Sequence, residues 1–365
     1  MATLREVAQL ANVSLASASR VLGRPTKPFP VSEKTTQRVR DAAEQLGYRV
    51  NYHMQAVATG RTLTTGFITG TEIHYHLSFG AGDLYFEALR RGVEYSLQKK
   101  GSTLLSVRPN DQFTALTRAI HYVAEKRLDA LVLPAYDGIT DLLNQTSEDL
   151  PVVVVNHSEK INCTQVCFNS KKALQQIIQH LKALEHRVVL WFGPITANKN
   201  SSPAQRQQCF DESTREAGLK SMLCLAKSDD PRTTRVDGKK LMSQAQNAMS
   251  EQLKQSDRPW TAVVAYNDKW AVAACRALQA VGLNVPGDVS VVGFDNLIAE
   301  FCTPRLTVID HQLHEMGQRA GALATQWATA NKAQRLALRS HYEVVDPVLV
   351  VRESTGPAKP LPIAH

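Results

Sequence analysis

The sequence predicts two architectures in one chain. An all-α helix-turn-helix domain fills residues 1–50, and an α/β region of two lobes, each a parallel sheet flanked by helices, follows from residue 62. Three observations predict this. Capped apolar stripes at helical spacing occupy residues 3–47, positive charge is concentrated in the first sixty residues, and short apolar runs then alternate with amphipathic segments.

At 365 residues, two or three domains are expected, since domains run to roughly 100–200 residues each. Hydrophobic residues make up 43% and charged residues 21%, which excludes wholesale disorder. The longest apolar runs, such as Val152–Val155, fall far short of the ~20 residues that span a bilayer. Met1–Glu6 lacks the charged-then-apolar layout of a secretion signal. A cytoplasmic chain without a membrane partner is the expectation.

The net charge is +8, and residues 1–60 carry eight Lys/Arg against four acids, which is half of it. Local positive excess suits a polyanion, because each phosphate neutralised releases counterions. An inert basic surface is the plainer alternative. Six cysteines without a paired C-x-x-C read as free thiols, and Cys163-x-x-x-Cys167 lacks the partners for a tetrahedral metal site. No metal or cofactor is expected.

Thr3 opens the first helix as a cap, and Leu4, Val7, Ala8 and Ala11 form one stripe at i, i+3, i+4, i+7. Asn12 suits the left-handed corner that follows. Ser14 caps Leu15–Leu22, with Ala18, Val21 and Leu22 inward. Two helices joined so tightly form a helix-turn-helix. After a Pro/Gly-rich break, Ser32 caps a third helix with Val39, Ala42, Ala43 and Leu46 inward, ended by Gly47. The second helix would enter the major groove with Leu15, Ala16, Ser19 and Arg20 outward. Arg20 can fork onto guanine, while Leu15 and Ala16 could touch thymine methyls. Leu15 can equally be core, three residues before Ala18.

These residues carry a resemblance. Thr3–Ala8, Val13–Leu22, Val31–Thr35 and Leu46–Asn51 are similar in order, spacing and type to the N-terminal domain of LacI/GalR-type transcriptional regulators. The resemblance implies phosphate contacts at Thr3, Ser14, Ser32, Thr35 and Tyr48, and base contacts at Leu15, Ala16 and Arg20. Two departures stand out. Gly23–Pro30 is a few residues longer than the family's turn, and Asn12 stands where a glycine is usual.

Residues 51–61 read as a hinge. An eight-residue helix is unstable alone because nucleation is costly, so Asn51–Ala58 would order only against a partner. In the resembled family this helix folds on the operator and wedges a leucine into the minor groove. That position falls on Val57, and the flanking Ala-Arg pattern on Met54-Gln55. Valine reaches less far, so a shallower kink or a wedge shared with Met54 is implied. A plain linker helix is the alternative.

From residue 62, strands are expected at Thr65–Thr69, Thr103–Val107, Ala130–Leu133, Val152–Val155, Val188–Phe192, Ala262–Ala265 and Val289–Phe294. Helical segments between them include Tyr85–Lys99, Phe113–Glu125, Ser170–Leu184, Pro203–Ala217 and Lys269–Val281. Such alternation gives parallel sheets with ligands near the strands' carboxyl ends. The resemblance extends here through Arg91–Glu94, Leu128–Leu133, His186–Val189, Tyr266–Asp268, Val285–Asp295 and Thr303–Thr307. It implies a domain over residues 62–355 similar to periplasmic sugar-binding proteins. An N-lobe would hold about 62–160 and 296–324 and a C-lobe about 161–295 and 325–355, with crossovers near 160, 295 and 325. Residues 356–365 would be a tail.

The resemblance places effector contacts at Asp83, Tyr85, Asn156, Arg206, Asn267, Asp295 and His311. Bidentate charged groups at strand ends suit adjacent sugar hydroxyls, although an Asp there can instead cap a helix. The long loop Gly70–Gly82 carries His74, Tyr75 and His76 and could reach over the cleft; its two histidines lack further metal ligands. Asp229–Thr234 offers no capping aromatic, and Trp191 and Trp270 read as core.

Gly80-Ala81-Gly82 is the main support for a nucleotide-dependent enzyme, but Tyr85 stands where a third Gly or Ala is needed. No Walker loop, nucleophile elbow or zinc-protease signature appears. An exported sugar-binding protein would need an export signal and no helix-turn-helix. The reading is therefore a non-enzymatic, sequence-specific transcriptional regulator. It would be a repressor binding pseudo-palindromic operator DNA as a homodimer, controlled by a small effector, a sugar or sugar derivative. A corepressor-dependent regulator or activator using a nucleobase or sugar phosphate is the alternative. Gly356–His365 has no heptads for a tetramer.

Overall fold

The structure is a computed structural model and describes residues 2–23, 31–68, 81–108, 114–135, 139–144, 150–157, 160–196, 199, 201–227, 238–255 and 258–359. It divides into two compact units, one formed by residues up to Thr64 with His121–Asp129 and the other by the remainder.

In the first unit, α1 (Leu4–Leu10), α2 (Leu15–Leu22) and α3 (Glu33–Gln45) enclose a core of Val7, Ala8, Ala11, Ala18, Val39, Ala42 and Ala43. Burying each Val is worth about 1.5–3 kcal/mol, so this small bundle depends on few side chains. All three expected caps form: Thr3, Ser14 and Ser32 accept from the backbone N–H groups of Glu6, Ser17 and Thr35. Thr3 and Glu6 complete a reciprocal capping box. Asn12 turns the corner at φ 49°, the conformation read from its residue type. A fourth helix, α4 (Tyr52–Thr59), is capped by Asn51, whose Oδ1 accepts from Met54 N. Beyond it, the Asp129 carboxylate accepts from Thr62 N and Leu63 N and anchors the chain.

The second unit opens with β1 (Thr64–Ile68), α5 (Ala81–Lys99), β2 (Thr103–Val107), α6 (Ala115–Ala124), β3 (Ala130–Pro134), α7 (Ile139–Asn144), β4 (Val152–Val155) and β5 (Thr164–Phe168). Then come α8 (Ser170–Ala183), β6 (Val188–Ile195), α9 (Ser202–Glu216), β7 (Lys220–Lys227), α10 (Gly238–Leu253), β8 (Ala262–Ala265), α11 (Asp268–Ala280) and β9 (Ser290–Asp295). The chain closes with β10 (Thr307–Asp310), α12 (Leu313–Thr329), α13 (Lys332–Arg339), β11 (Tyr342–Val345) and β12 (Val348–Val350).

Two six-stranded sheets result, ordered β11-β5-β4-β3-β1-β2 and β12-β10-β9-β8-β6-β7. Among the described registers all are parallel except β10 with β12. Central strands β3, β4 and β8 are buried along their whole length, as sheets covered on both faces require.

This topology corrects the lobe boundaries. β5 pairs with β4 in the first sheet, β10 with β9 in the second, and β11 with β5 back in the first. The chain therefore changes lobes after Phe168, after Asp310 and after Val345, one strand later each time than the crossovers expected near 160, 295 and 325. β5 lacked an apolar run because Thr164 and Gln165 are buried polar residues. Thr164 Oγ1 donates to Leu338 O and accepts from Trp327 Nε1. Of the expected tail, residues 356–359 are described and are tied down: Ala358 N donates to Leu184 O, and buried His186 lies 3.1 Å from Gly356 O.

In the first lobe α5 and α12 cross at glycines. A Cβ on Gly317 would press into the Leu89 carbonyl oxygen and lie 2.9 Å from Gly92 Cα. Only glycine permits this approach, which holds the helix leaving the second crossover against the helix that carries Tyr85.

Candidate functional site

On α2, Leu15, Ala16, Ser19 and Arg20 are all exposed, Leu15 by 48%. Leu15 is thus an outward residue and not core. Ser14 Oγ lies 2.9 Å from Ser17 Oγ, and Ser32 Oγ donates to Thr35 Oγ1. Tyr48 packs against the three-helix core and is half-buried. Met54 and Val57 are 71% and 85% exposed on α4, large apolar groups left in water. Asn51 is exposed and serves as the helix cap. Residues 24–30 of the long turn, and the Gln55 side chain, lie outside the described residues.

In the second unit, the ends of β4 and β9 and the second crossover converge on a polar cluster. Arg206 is buried on α9; its Nη1 donates to Tyr266 O and its Nη2 to His311 Nε2, each at 2.8 Å. Because Nε2 accepts, the proton of a neutral His311 sits on Nδ1, which faces Asp295 Oδ1 at 3.0 Å, short of hydrogen-bond alignment. Asp295 Oδ1 also lies 3.6 Å from Arg206 Nη1. His311 is fully buried, its ring tilted against Phe168 with centroids 4.1 Å apart and edge-on to Tyr85.

Burial and the Arg206 charge hold the His311 pKa below its usual value. Burial works against the Asp295 carboxylate, but His311 and the positive charges of Arg206 and Lys269 bring its pKa below the ordinary value. Burial raises the Tyr85 phenol, whose oxygen accepts from Asn156 Nδ2 at 2.6 Å.

Backbone strain gathers at these positions. Asn156, Asp295, Asn296 and Gln312 all have positive φ, with Asp295 at 93°, a conformation that costs a non-glycine residue about 1–3 kcal/mol. Neighbours hold it in place. Asp268 Oδ2 accepts from Leu297 N and Ile298 N, and Asn296 donates to Asp310 and accepts from Arg352.

Tyr85, Asn156, Arg206, Asp295 and His311 are thus brought together. Asn267 caps α11, its Oδ1 accepting from Trp270 N. Asp83 opens α5, but its side chain lies outside the described residues, as do loop residues 70–80, with His74, Tyr75 and His76, and residues 229–234. Trp191 and Trp270 are core, against Phe210 and Phe192. Among the described residues no group of His, Cys, Asp or Glu is placed to hold a metal, and no helix is long and apolar enough to cross a membrane.

Sequence reasoning missed Asp268 and the cavity. Asp268 is buried with Oδ1 unpartnered; burial and then the charge of Asp295 push its pKa up to about 7. A cavity of about 270 Å³ opens beside Arg206, with Asn156, His157, Phe168, Ser202 and Tyr342 in its walls. Phe168 and Tyr342 lie on strands that were not foreseen, so no spacing pointed to them.

Comparison with known proteins adds independent evidence. Residues 3–51 match the model for bacterial regulatory proteins of the lacI family, and residues 178–355 that for a periplasmic binding protein-like domain. The chain belongs to the LacI family. As a LacI-family protein it is a DNA-binding transcriptional regulator.

Its relatives run the length of the chain. The HTH-type transcriptional repressor PurR of Aliivibrio salmonicida is 27% identical over 350 residues, 94% of this chain and 98% of that protein. The regulator GalR of Escherichia coli K12 is 28% identical over 362 residues, 98% and 96% of the two chains. Among solved structures, the lac repressor dimer bound to operator and the anti-inducer ONPF has a TM-score of 0.70 at 22% identity, covering 97% of this chain and 99% of that one. The CelR–cellobiose complex has a TM-score of 0.60 at 23% identity, covering 97% and 100%. At these identities the structures bear on fold alone.

Proposed function

We propose that this LacI-family regulator is an effector-controlled repressor whose homodimer binds a pseudo-palindromic operator, one half-site per protomer. The effector is a small polyhydroxylated molecule, a sugar or sugar derivative, held in the cleft between the two sheets. The observation that carries this reading is the Arg206–His311–Asp295 cluster, a buried, strained set of polar groups at a lobe crossover. Rigid polar groups at strand ends suit ligand capture, and a lobe crossover turns capture into rotation.

On the DNA side, Arg20 forks onto guanine and Leu15 and Ala16 touch thymine methyls. Thr3, Ser14, Ser32, Thr35 and Tyr48 contact phosphates, and Ser32 donating to Thr35 leaves the Thr35 hydroxyl hydrogen for an oxygen of the backbone. Val57 and Met54, exposed on a short helix with Asn51 as its cap, supply an apolar wedge for the minor groove. The match of residues 3–51 to the lacI-family model supports this reading of the DNA side. The homologues are regulators, which favours a non-enzymatic chain.

A thermal-shift screen of the full-length protein against sugars and sugar derivatives tests the cleft, since a ligand that prefers the native state raises its melting point. A hit that also changes operator affinity supports the proposal. A hit that leaves affinity unchanged overturns effector control.

A further inference from the structure

The cavity beside Arg206 narrows the effector's chemistry; this inference rests on the cleft being the effector site. Among the described residues of the cavity wall, Arg206 is the one permanently charged side chain and none is a carboxylate. Two long helices, α8 and α9, begin at this wall through Asn169, Ser170 and Ser202, so both present the positive ends of their dipoles.

Their first amides are only partly satisfied. At α8, Asn169 accepts from Lys172 N through its side chain and from Ala173 N through its carbonyl, leaving the N–H groups of Ser170 and Lys171 without helical acceptors. At α9, Ser201 accepts from Ala204 N and Gln205 N; Pro203 has no N–H, and that of Ser202 is left over.

Arg206 supplies an independent observation. It is only 4% exposed, and with Nη1 on Tyr266 O and Nη2 on His311 its Nε–H has no acceptor. Asp295 does not complete it, since its Oδ1 is turned to His311 and lies 3.6 Å from Nη1. Nearby Lys171 and Lys172 are already paired, with Glu212, Glu216 and Asp346. A hydroxyl could satisfy one of the open donors. The two or three oxygens of an anion satisfy several at once and match the field.

We propose that the effector carries an anionic group, a carboxylate or a phosphate ester, seated between the N-termini of α8 and α9 and completed by Arg206 Nε. The site would then take a sugar acid or a sugar phosphate in preference to a neutral sugar.

The test uses full-length protein and tryptophan fluorescence. All four tryptophans, at 191, 260, 270 and 327, lie outside the basic N-terminal residues, and Trp191 packs at 5.4 Å on Phe210 of α9. Phosphate bound at the DNA face therefore goes unreported. Inorganic phosphate and sodium acetate are titrated separately against sodium chloride at matched ionic strength. A saturable change with phosphate assigns a phosphate ester, and one with acetate a carboxylate. In either case Ser202→Asp weakens it at least tenfold, while Ser202→Ala retains it within about threefold. Ser202 is exposed at a first-turn position where Asp favours the helix, so the variant folds. No saturable response to either anion, or an unchanged response in Ser202→Asp, overturns the anionic class. If neutral sugars such as glucose or ribose then stabilise the protein, the effector reading stands and only the anion is lost.

Discussion

Replacing His311 by leucine removes two polar contacts while keeping the side chain about the same size. Arg206 Nη2 loses its 2.8 Å acceptor and Asp295 Oδ1 loses the N–H at 3.0 Å. Both groups are charged and sealed in, and stranding a buried charged partner costs about 1.5–3 kcal/mol each. The leucine regains about 1–2 kcal/mol from apolar contact with Phe168 and Phe294. The net loss is about 2–4 kcal/mol, a fall in melting temperature of roughly 3–7 °C for a domain of this size. Glutamine should recover most of it, because its amide oxygen accepts from Arg206 and its NH₂ donates to Asp295.

The pH dependence follows from the same contacts. The folded pKa of His311 lies below 6.5, so the unfolded chain binds more protons as pH falls through 6.5, and stability falls with it. His180 and His186 share this sign, so the reading is the difference between proteins: His311→Gln should lose less stability between pH 7 and 5 than the native chain. Thermal melts of the three proteins across that range decide it. A leucine variant melting within 1 °C of native, or a glutamine variant no better than leucine, would refute the reasoning.

Three further expectations follow from other parts of the molecule. Gly317→Ala gains about 1 kcal/mol in helix propensity but drives a methyl into the Leu89 carbonyl, and a backbone oxygen cannot swing aside. A net loss of roughly 2 kcal/mol in urea unfolding is expected, and an unchanged midpoint would show that the α5–α12 contact is not tight. Asp268→Asn removes a carboxyl whose pKa is raised to about 7, a penalty absent at pH 3 and complete above 7. The variant should be more stable at pH 8 by as much as about 4 kcal/mol, with the gain vanishing in acid; melts at pH 5 and 8 check the sign. Arg20→Ala should cost about 1–3 kcal/mol on the preferred operator and relax its sequence preference. Equal weakening on all duplexes, seen by anisotropy, would limit Arg20 to phosphate.

Much of this was legible in the sequence because local chemistry and global fold agree. Thr3, Ser14 and Ser32 are caps in the residues themselves, and the stripe from Val7 to Ala43 needs no long-range information. Strands β3, β4 and β8 are short β-branched or alanine runs that could be read directly. What was lost depended on distant partners. β5 looks polar until Leu338 and Trp327 satisfy Thr164, so the crossovers were placed a strand early. Asn267 also caps α11 through its amide oxygen, a role that its residue type and strand-end position left open beside ligand contact. His311 has no exposed surface, and its contacts orient Arg206 and Asp295, a buried role that its spacing did not reveal. Asp268, adjacent to Asn267, carried no local signal, because its importance comes from holding the strained turn at Asp295 and Asn296.

The central claim is that a ligand in the cleft controls how residues 1–59 hold duplex DNA. The most direct measurement is fluorescence anisotropy of the full-length protein on a duplex enriched from a random pool and on a scrambled duplex. Both are titrated at 50 and 200 mM salt, with and without the stabilising ligand. The account predicts a clear preference for the enriched duplex, a loss of about 10³–10⁵ in affinity over that salt range, and a ligand-dependent shift of at least fivefold on the enriched duplex. No site preference, flat salt dependence, or an affinity indifferent to bound ligand would contradict it.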